Sequence, residues 1–395
     1  MIKGFESIED LIYKPISGEW GDDVGEINVL RTTNFNNDGT LNLSEVVKRS
    51  IDLSKVEKKK LKYGDTIIEK SGGSPSQPVG RVVYFNIKDE TFLCNNFTSV
   101  IRPKENLDPR YLFWYLYSNH LNQNTRKYQN KTTGIINLQL ERYIKELQIP
   151  LPPLPIQKRI AEILDAADAL KRKDQELLKK YDELAQAIFI DMFGDPVKNE
   201  KGWEVKYLDE VSNKITDGEH GTVERLAEGK PYLMARNIRD GFIDFTEIDY
   251  ISEKDHNKIF KRCNPQNGDL LLVCVGATIG RVCLMNSDEK YSLARSVALI
   301  KPNRNQVSSL FLFALFKTDF MQRQIKAANN SSAQAGLYTG RIKELKIYLP
   351  PIELQNAFAK RIEKLLNQVK IVDVKKTENL FNSLIQKAFK GELVV

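Results

Sequence analysis

The chain is written twice, and this constrains its fold more than any other feature, since each copy must settle into the same architecture. The segment from Ile144, IKELQIPLPPLPIQ, matches that from Ile342, IKELKIYLPPIELQ, at 9 of 14 positions with an offset of 342 − 144 = 198. Upstream, Gly80-Arg81 answers Gly280-Arg281, Gly64-Asp65 answers Gly268-Asp269, and GEWG from Gly18 answers GEHG from Gly218. Downstream, the stretch after each LPP ends in Phe193 or Phe389, with FGD or FKGE following. The repeated unit is therefore a globular part followed by one helix.

Within each globular part, short apolar runs such as DTIIE, GRVVYF, DLLLVCV and GRVCLM are bounded by Gly, Asn and Asp, which reads as strands joined by turns. Each part also carries a helical stretch, PRYLFWYLYSNHL or LFLFALFKTDFMQRQI. Trp114 and its aromatic neighbours read as core, because so apolar a run is poorly left in water. At 395 residues and 41% hydrophobic, the chain can bury more than one core.

Pro152, Pro153 and Pro155 mark a helix start. Ile156, Ile160, Ile163, Ala167, Leu170, Leu177, Tyr181, Leu184 and Ile188 then follow at alternating four and three, interrupted only by Asp174. That seam predicts a coiled-coil helix of about 38 residues, roughly 57 Å long. The second helix gives Phe358, Ile362, Leu365, Val369 and Val372 before drifting to Leu380, Leu384 and Ala388, as at a stutter. A two-fold axis perpendicular to the helices makes them antiparallel, whereas an axis along them makes them parallel. The antiparallel form is the one expected. The fold class is thus α+β: two tandem-repeated domains of mixed sheet plus helices, 1–153 and 195–351, separated by two long antiparallel coiled-coil helices, 154–194 and 352–395.

Charge and chemistry narrow the function. Lys+Arg number 59 against 52 Asp+Glu, a net +7 that favours a polyanionic partner without requiring one. Cys94, Cys263, Cys274 and Cys283 show no CxxC spacing, and only three histidines exist to help them, so no metal site is expected. There is no GxxxxGK[ST] phosphate loop, and GATIG from Gly276 lacks the GxGxxG spacing of a dinucleotide site. His120, His220 and His256 have no nucleophile or ligand at a recognisable spacing. No catalytic residues, cofactor or membrane span is expected, and the start MIKGFESIED, without a basic and apolar leader, suggests a cytoplasmic protein.

Two globular domains, each closed by an LPPLxxQ-type sequence that opens a long helix ending near FGD or FKGEL, resemble the specificity subunits of Type I restriction-modification systems. The paired segments LPPLPIQKRIAEILD and LPPIELQNAFAKRIEKLL carry the resemblance, which covers essentially the whole chain; Glu353 stands where the first copy has Pro155. The resemblance implies two target-recognition domains, each reading one half of a split, asymmetric site in double-stranded DNA. It further implies a non-catalytic subunit partnered by two methyltransferase subunits and by restriction/translocase subunits. S-adenosylmethionine and ATP would then be bound by those partners and not by this chain. A stand-alone DNA-binding regulator and a coiled-coil scaffold are the alternatives.

Base reading needs paired donors and acceptors, above all Arg, Asn and Gln, while Lys, Ser and Thr chiefly hold phosphate. In the first domain the candidates are Lys70, Ser71, Ser74, Gln77 and Arg81 of EKSGGSPSQPVGR, and Lys131, Thr132 and Thr133 of QNKTTG. In the second they are His220 and Thr222 of GEHGT, Arg236, Asn237 and Arg239 of MARNIRDG, Thr278 and Arg281, and Ser331 and Gln334 of NNSSAQAG. Arg81 and Arg281, at equivalent places, are expected to share a structural or phosphate role. The run KVEKKKLK from Lys55 reads as a solvated edge.

Overall fold

A computed structural model of the chain describes residues 4–74, 77–132, 135–330, 336–369 and 374–393. Its contacts divide it into two compact units, Met1–Gln175 with Asp373–Val395, and Glu176–Val372. Each unit therefore holds one globular part and a portion of both long helical stretches.

The first unit is built on a four-stranded antiparallel sheet of β1 (Ile16–Ser17), β2 (Thr66–Glu69), β3 (Val82–Tyr84) and β4 (Thr98–Ile101), in the order β1-β4-β2-β3. The second repeats it with β5 (Ser212–Asp217), β6 (Leu270–Val273), β7 (Val282–Leu284) and β8 (Val297–Pro302), in the order β5-β8-β6-β7. The central strands TIIE and LLLV are buried at every residue, as expected for short apolar runs covered on both faces. A three-stranded sheet accompanies each, and in both its middle strand has one antiparallel and one parallel neighbour.

Helix α1 (Pro109–Leu121) carries the aromatic run, and its Trp114 is completely buried, with the indole N–H donating to Asp165 Oδ1 at 2.8 Å. Asp165 belongs to α2 (Leu154–Phe193), the 40-residue helix that follows the first LPP. Its counterpart in the second unit to α1 is α3 (Ser309–Phe316). The second LPP leads into α4 (Ile352–Val369), and α5 (Val374–Lys390) is the last helix in the chain among the described residues.

The repeated glutamine has a defined task. Gln157 Oε1 accepts the Asp108 N–H at 2.8 Å while its Nε2 donates to the carbonyls of Pro152 and Asn106. Gln355 repeats this with the Ser308 N–H, Pro350 and Gln306. Both side chains are buried, so each pins a helix start to the loop before the aromatic helix.

In the first unit, α2 runs beside α1 in the same direction, from the Gln157–Asp108 bond to the Asp165–Trp114 bond. Helix α5 runs the other way, with Phe389 against Tyr111 at 5.3 Å and Phe381 against Trp114 at 5.4 Å. The start of α2 and α5 are thus antiparallel, and Lys171 Nζ lies 4.1 Å over the Phe381 ring between them. In the second unit, Phe189 and Phe193 at the end of α2 pack on Phe311 of α3 and Phe358 of α4.

The buried stripe of α2 differs from the expected seam. Ile160, Ala161, Leu164 and Ala167 are buried, whereas Leu170, Leu177 and Leu184 are 44%, 38% and 45% exposed. Early in the helix, packing on α1 as well as α5 widens the buried face beyond a two-helix seam.

Candidate nucleic-acid interface

The scaffold beneath the candidate loops is the same in both units. Gly18 N–H reaches the Thr98 carbonyl and Glu19 N–H that of Cys94; Gly218 and Glu219 do likewise with Val297 and Leu293. A Cβ at Gly18 or Gly218 would lie 1.9 Å from Asn95 O or 2.1 Å from Leu293 O, which explains the glycine that opens GEWG and GEHG. Asn34 accepts the Arg31 N–H at 2.8 Å and donates to the carbonyls of Asn42 and Glu45. Asn237 accepts the Met234 N–H at 3.0 Å and donates to Asp244 and Glu247.

That constellation corrects one expectation. Asn237 is 1% exposed and holds its own turn together, so it has no amide edge to offer a base. Arg81 is withdrawn as well. Its guanidinium grips Glu69 with Nε and Nη2 at 2.9 and 3.0 Å and donates to the carbonyls of Thr32 and Phe35, leaving the side chain 12% exposed. The role shared with Arg281 also fails, because Arg281 is half-buried and has no side-chain partner among the described residues.

The two loops proposed for the first domain converge. Ser71–Gly73 pairs with Ile135–Leu138, which pairs with Gln129–Thr132, so Ser71, Lys131 and Thr132 share one small sheet. Ser71 Oγ is hydrogen-bonded to Asn137 at 2.5 Å, Ser74 Oγ accepts the Gln77 N–H at 3.1 Å, and the Gln77 side chain is exposed. Lys70 donates to Ser17 at 2.6 Å, and burial holds its ammonium below the ordinary lysine value. Thr133, Ser331 and Gln334 lie outside the described residues, as do the side chains of Lys131 and Thr132.

In the second domain, Arg236 donates to the Glu247 carbonyl at 3.1 Å and pairs with Asp249. Asp249 also holds Arg225 at 2.8 Å, and Arg225 lies 4.3 Å over the Tyr232 ring. One carboxylate thus orients two partly exposed guanidinium groups, Arg236, which was expected, and Arg225, which was not. Arg239 pairs with Asp244 at 3.3 Å. His220 sits 2.7 Å from Asp217, Thr222 is exposed, and the Thr278 carbonyl accepts the Arg281 N–H.

The lysine run from Lys55 is largely exposed, as expected of a solvated edge, and two of its lysines also reach the GEWG loop. Lys55 and Lys59, one turn apart on the helix Leu53–Lys59, reach Glu19 of GEWG at 3.0 and 2.6 Å. Lys59 and then Lys55 hold the Glu19 carboxyl below its ordinary value. In the second unit, Arg262 on the helix Glu253–Cys263 reaches Asp217 at 2.8 Å. The first unit therefore gathers two lysines around Glu19 within GEWG, and the second sets Arg262 against Asp217, the residue just before GEHG. The spacing of Lys55 and Lys59, facing a repeated GExG acid, was the available signal.

No helix among the described residues is long and apolar enough to cross a membrane. Residues 18–180 and 200–380 each match the Type I restriction modification DNA specificity domain family. The chain is 26% identical to the Type I restriction enzyme EcoBI specificity subunit of Escherichia coli over 64% of its own length and 60% of that protein's. It is 23% identical to the EcoKI specificity subunit of Escherichia coli strain K12, over 92% of this chain and 82% of that one. The crystal structure of a Type-I restriction-modification system S subunit from M. genitalium superposes with a TM-score of 0.61 at 17% identity, covering 98% and 96% of the two chains. That likeness is one of fold. With two matched segments that fill most of its length, the chain belongs to the Type I restriction-modification DNA specificity family.

Proposed function

We propose that this chain is the non-catalytic subunit that gives a Type I restriction-modification complex its DNA sequence specificity, each unit reading one half of a bipartite, asymmetric site. The observation that carries this reading is one scaffold bearing two chemistries. Lys70 and Cys274 accept equivalent bonds from Leu138 and Leu337 at 2.8 Å, yet one offers a cation and the other a buried thiol. Trp20 and His220 likewise follow the same glycine and acid. Duplicated frames with diverged loops suit two different half-sites better than one palindrome.

The helices supply the docking face for methyltransferase subunits. Leu184 and Leu380, related by the same 196-residue offset as Phe193 and Phe389, are 45% and 46% exposed. A repeated apolar position on a polar helix fits two copies of one partner. S-adenosylmethionine and ATP belong to the partner subunits, the restriction/translocase subunits joining the methyltransferase pair, and the assembly works in the cytoplasm.

Co-expression with a Type I methyltransferase subunit from the same genome, followed by mass measurement and DNA binding at several salt concentrations, tests this function. A complex of one chain with two methyltransferases, methylating DNA only when assembled, is expected. A stand-alone regulator would bind its site without forming the complex, and a scaffold would show no salt-dependent DNA affinity. Methyl transfer by the purified chain alone would contradict the proposal.

A further inference from the structure

Arg81 and Arg281 occupy the same backbone position. Glu69 N–H reaches the Arg81 carbonyl at 2.9 Å and Gly80 N–H the Glu69 carbonyl at 3.0 Å; Val273, Arg281 and Gly280 give the same two bonds at 2.9 and 3.0 Å. The side chains then part company. The first unit places a carboxylate opposite its arginine, whereas the second places Val273, which is fully buried and cannot accept a hydrogen bond.

Arg81 spends four donor contacts inside the protein. Arg281 spends none from its side chain among the described residues, although it is half-buried. With no carboxylate opposite it among the described residues, the Arg281 guanidinium keeps its donors for an external group, and the fork geometry of arginine suits a phosphate oxyanion. Beside it, Gly276 and Ala277 are exposed, and nothing lies within 4 Å of where a Cβ on Gly276 would stand, so a backbone can come close.

We propose that Arg281 binds a DNA backbone phosphate, and that the first unit has no equivalent contact because Glu69 has internalised its arginine. This rests on the DNA-reading function proposed above. The two half-sites are then held unequally, with one framework phosphate contact more in the second.

Full-length wild type, Arg281→Ala and Arg81→Ala, titrated with duplexes of several sequences across a salt series, provide the test. Arg281→Ala should weaken binding to every duplex alike and reduce the slope of log affinity against log salt by about one, with an unchanged thermal midpoint. Arg81→Ala should lower the midpoint. Val273→Glu, which places a carboxylate opposite Arg281, should reproduce the loss of slope with Arg281 still present. Wild-type slope and affinity in Arg281→Ala would overturn the inference and leave the DNA-reading function standing. Loss confined to some sequences would overturn it too, by making Arg281 a base reader. Absence of salt-dependent binding by wild type would instead overturn the DNA-reading function itself.

Discussion

Gln157 Oε1 accepts the backbone N–H of Asp108 at 2.8 Å, and through that bond the long helix is registered on the helix of buried aromatics beside it. Gln157→Leu keeps the volume but leaves Asp108 N–H and the Pro152 and Asn106 carbonyls without their partner. An unsatisfied buried polar group costs about 1–3 kcal/mol. Urea titration of Gln157→Leu and Gln355→Leu should show losses of that order in each; a loss in only one would mean that the repeated motif is not one structural device.

The Arg81–Glu69 pair predicts a non-additive result. Removing Arg81 alone strands a carboxylate that is 4% exposed, a change worth roughly 3–5 kcal/mol. Replacing both, as Arg81→Met with Glu69→Leu, should recover much of that loss. A double variant no more stable than Arg81→Ala would show that the bonds to Thr32 and Phe35, rather than the ion pair, dominate.

His120 sets a pH dependence. Burial, with the Arg81 charge adding to it, pushes its imidazole down to about 4, and Nδ1 has no partner among the described residues. The unfolded chain takes up this proton near the ordinary value of 6.5, before the folded chain does. Stability should therefore be full above about 6.5 and fall as pH drops towards 4, by on the order of 3 kcal/mol. Urea midpoints for wild type and His120→Gln across that window test this, the variant giving the flatter profile.

The duplication, the α+β frame and the long helices were legible because repeats and apolar periodicity are written in the order of residues. The fates of individual polar residues were less so. Asn237 reads as a base-reading amide in MARNIRDG, and only the turn it closes shows that both edges of the amide are taken. Arg81 and Arg281 look alike because each follows a glycine. Their difference lies a strand away, at Glu69 and Val273, and the longer loop between Glu69 and Arg81 hides that register. The expected seam is buried at Ile160 and Ala167, where α2 packs with α1 and α5, and is exposed further along at Leu170, Leu177 and Leu184.

If the helices set the gap between half-sites, four residues inserted at equivalent points of both should lengthen the gap. Four residues add about 6 Å and roughly one turn. At about 3.4 Å per base pair, the skipped segment should grow by one or two base pairs with both half-sites unchanged. An unchanged gap with full activity would remove the ruler role.

Sequencing the methylated bases of cells that carry the chain with a Type I methyltransferase reveals whether the two units read independently. Wild type should mark one bipartite motif with an unspecified gap. Disabling the paired guanidiniums of the second unit, as Arg225→Ala with Arg236→Ala, should relax or abolish one half of that motif and leave the other intact. An uninterrupted motif in wild type, or a change in both halves in the variant, would contradict the account.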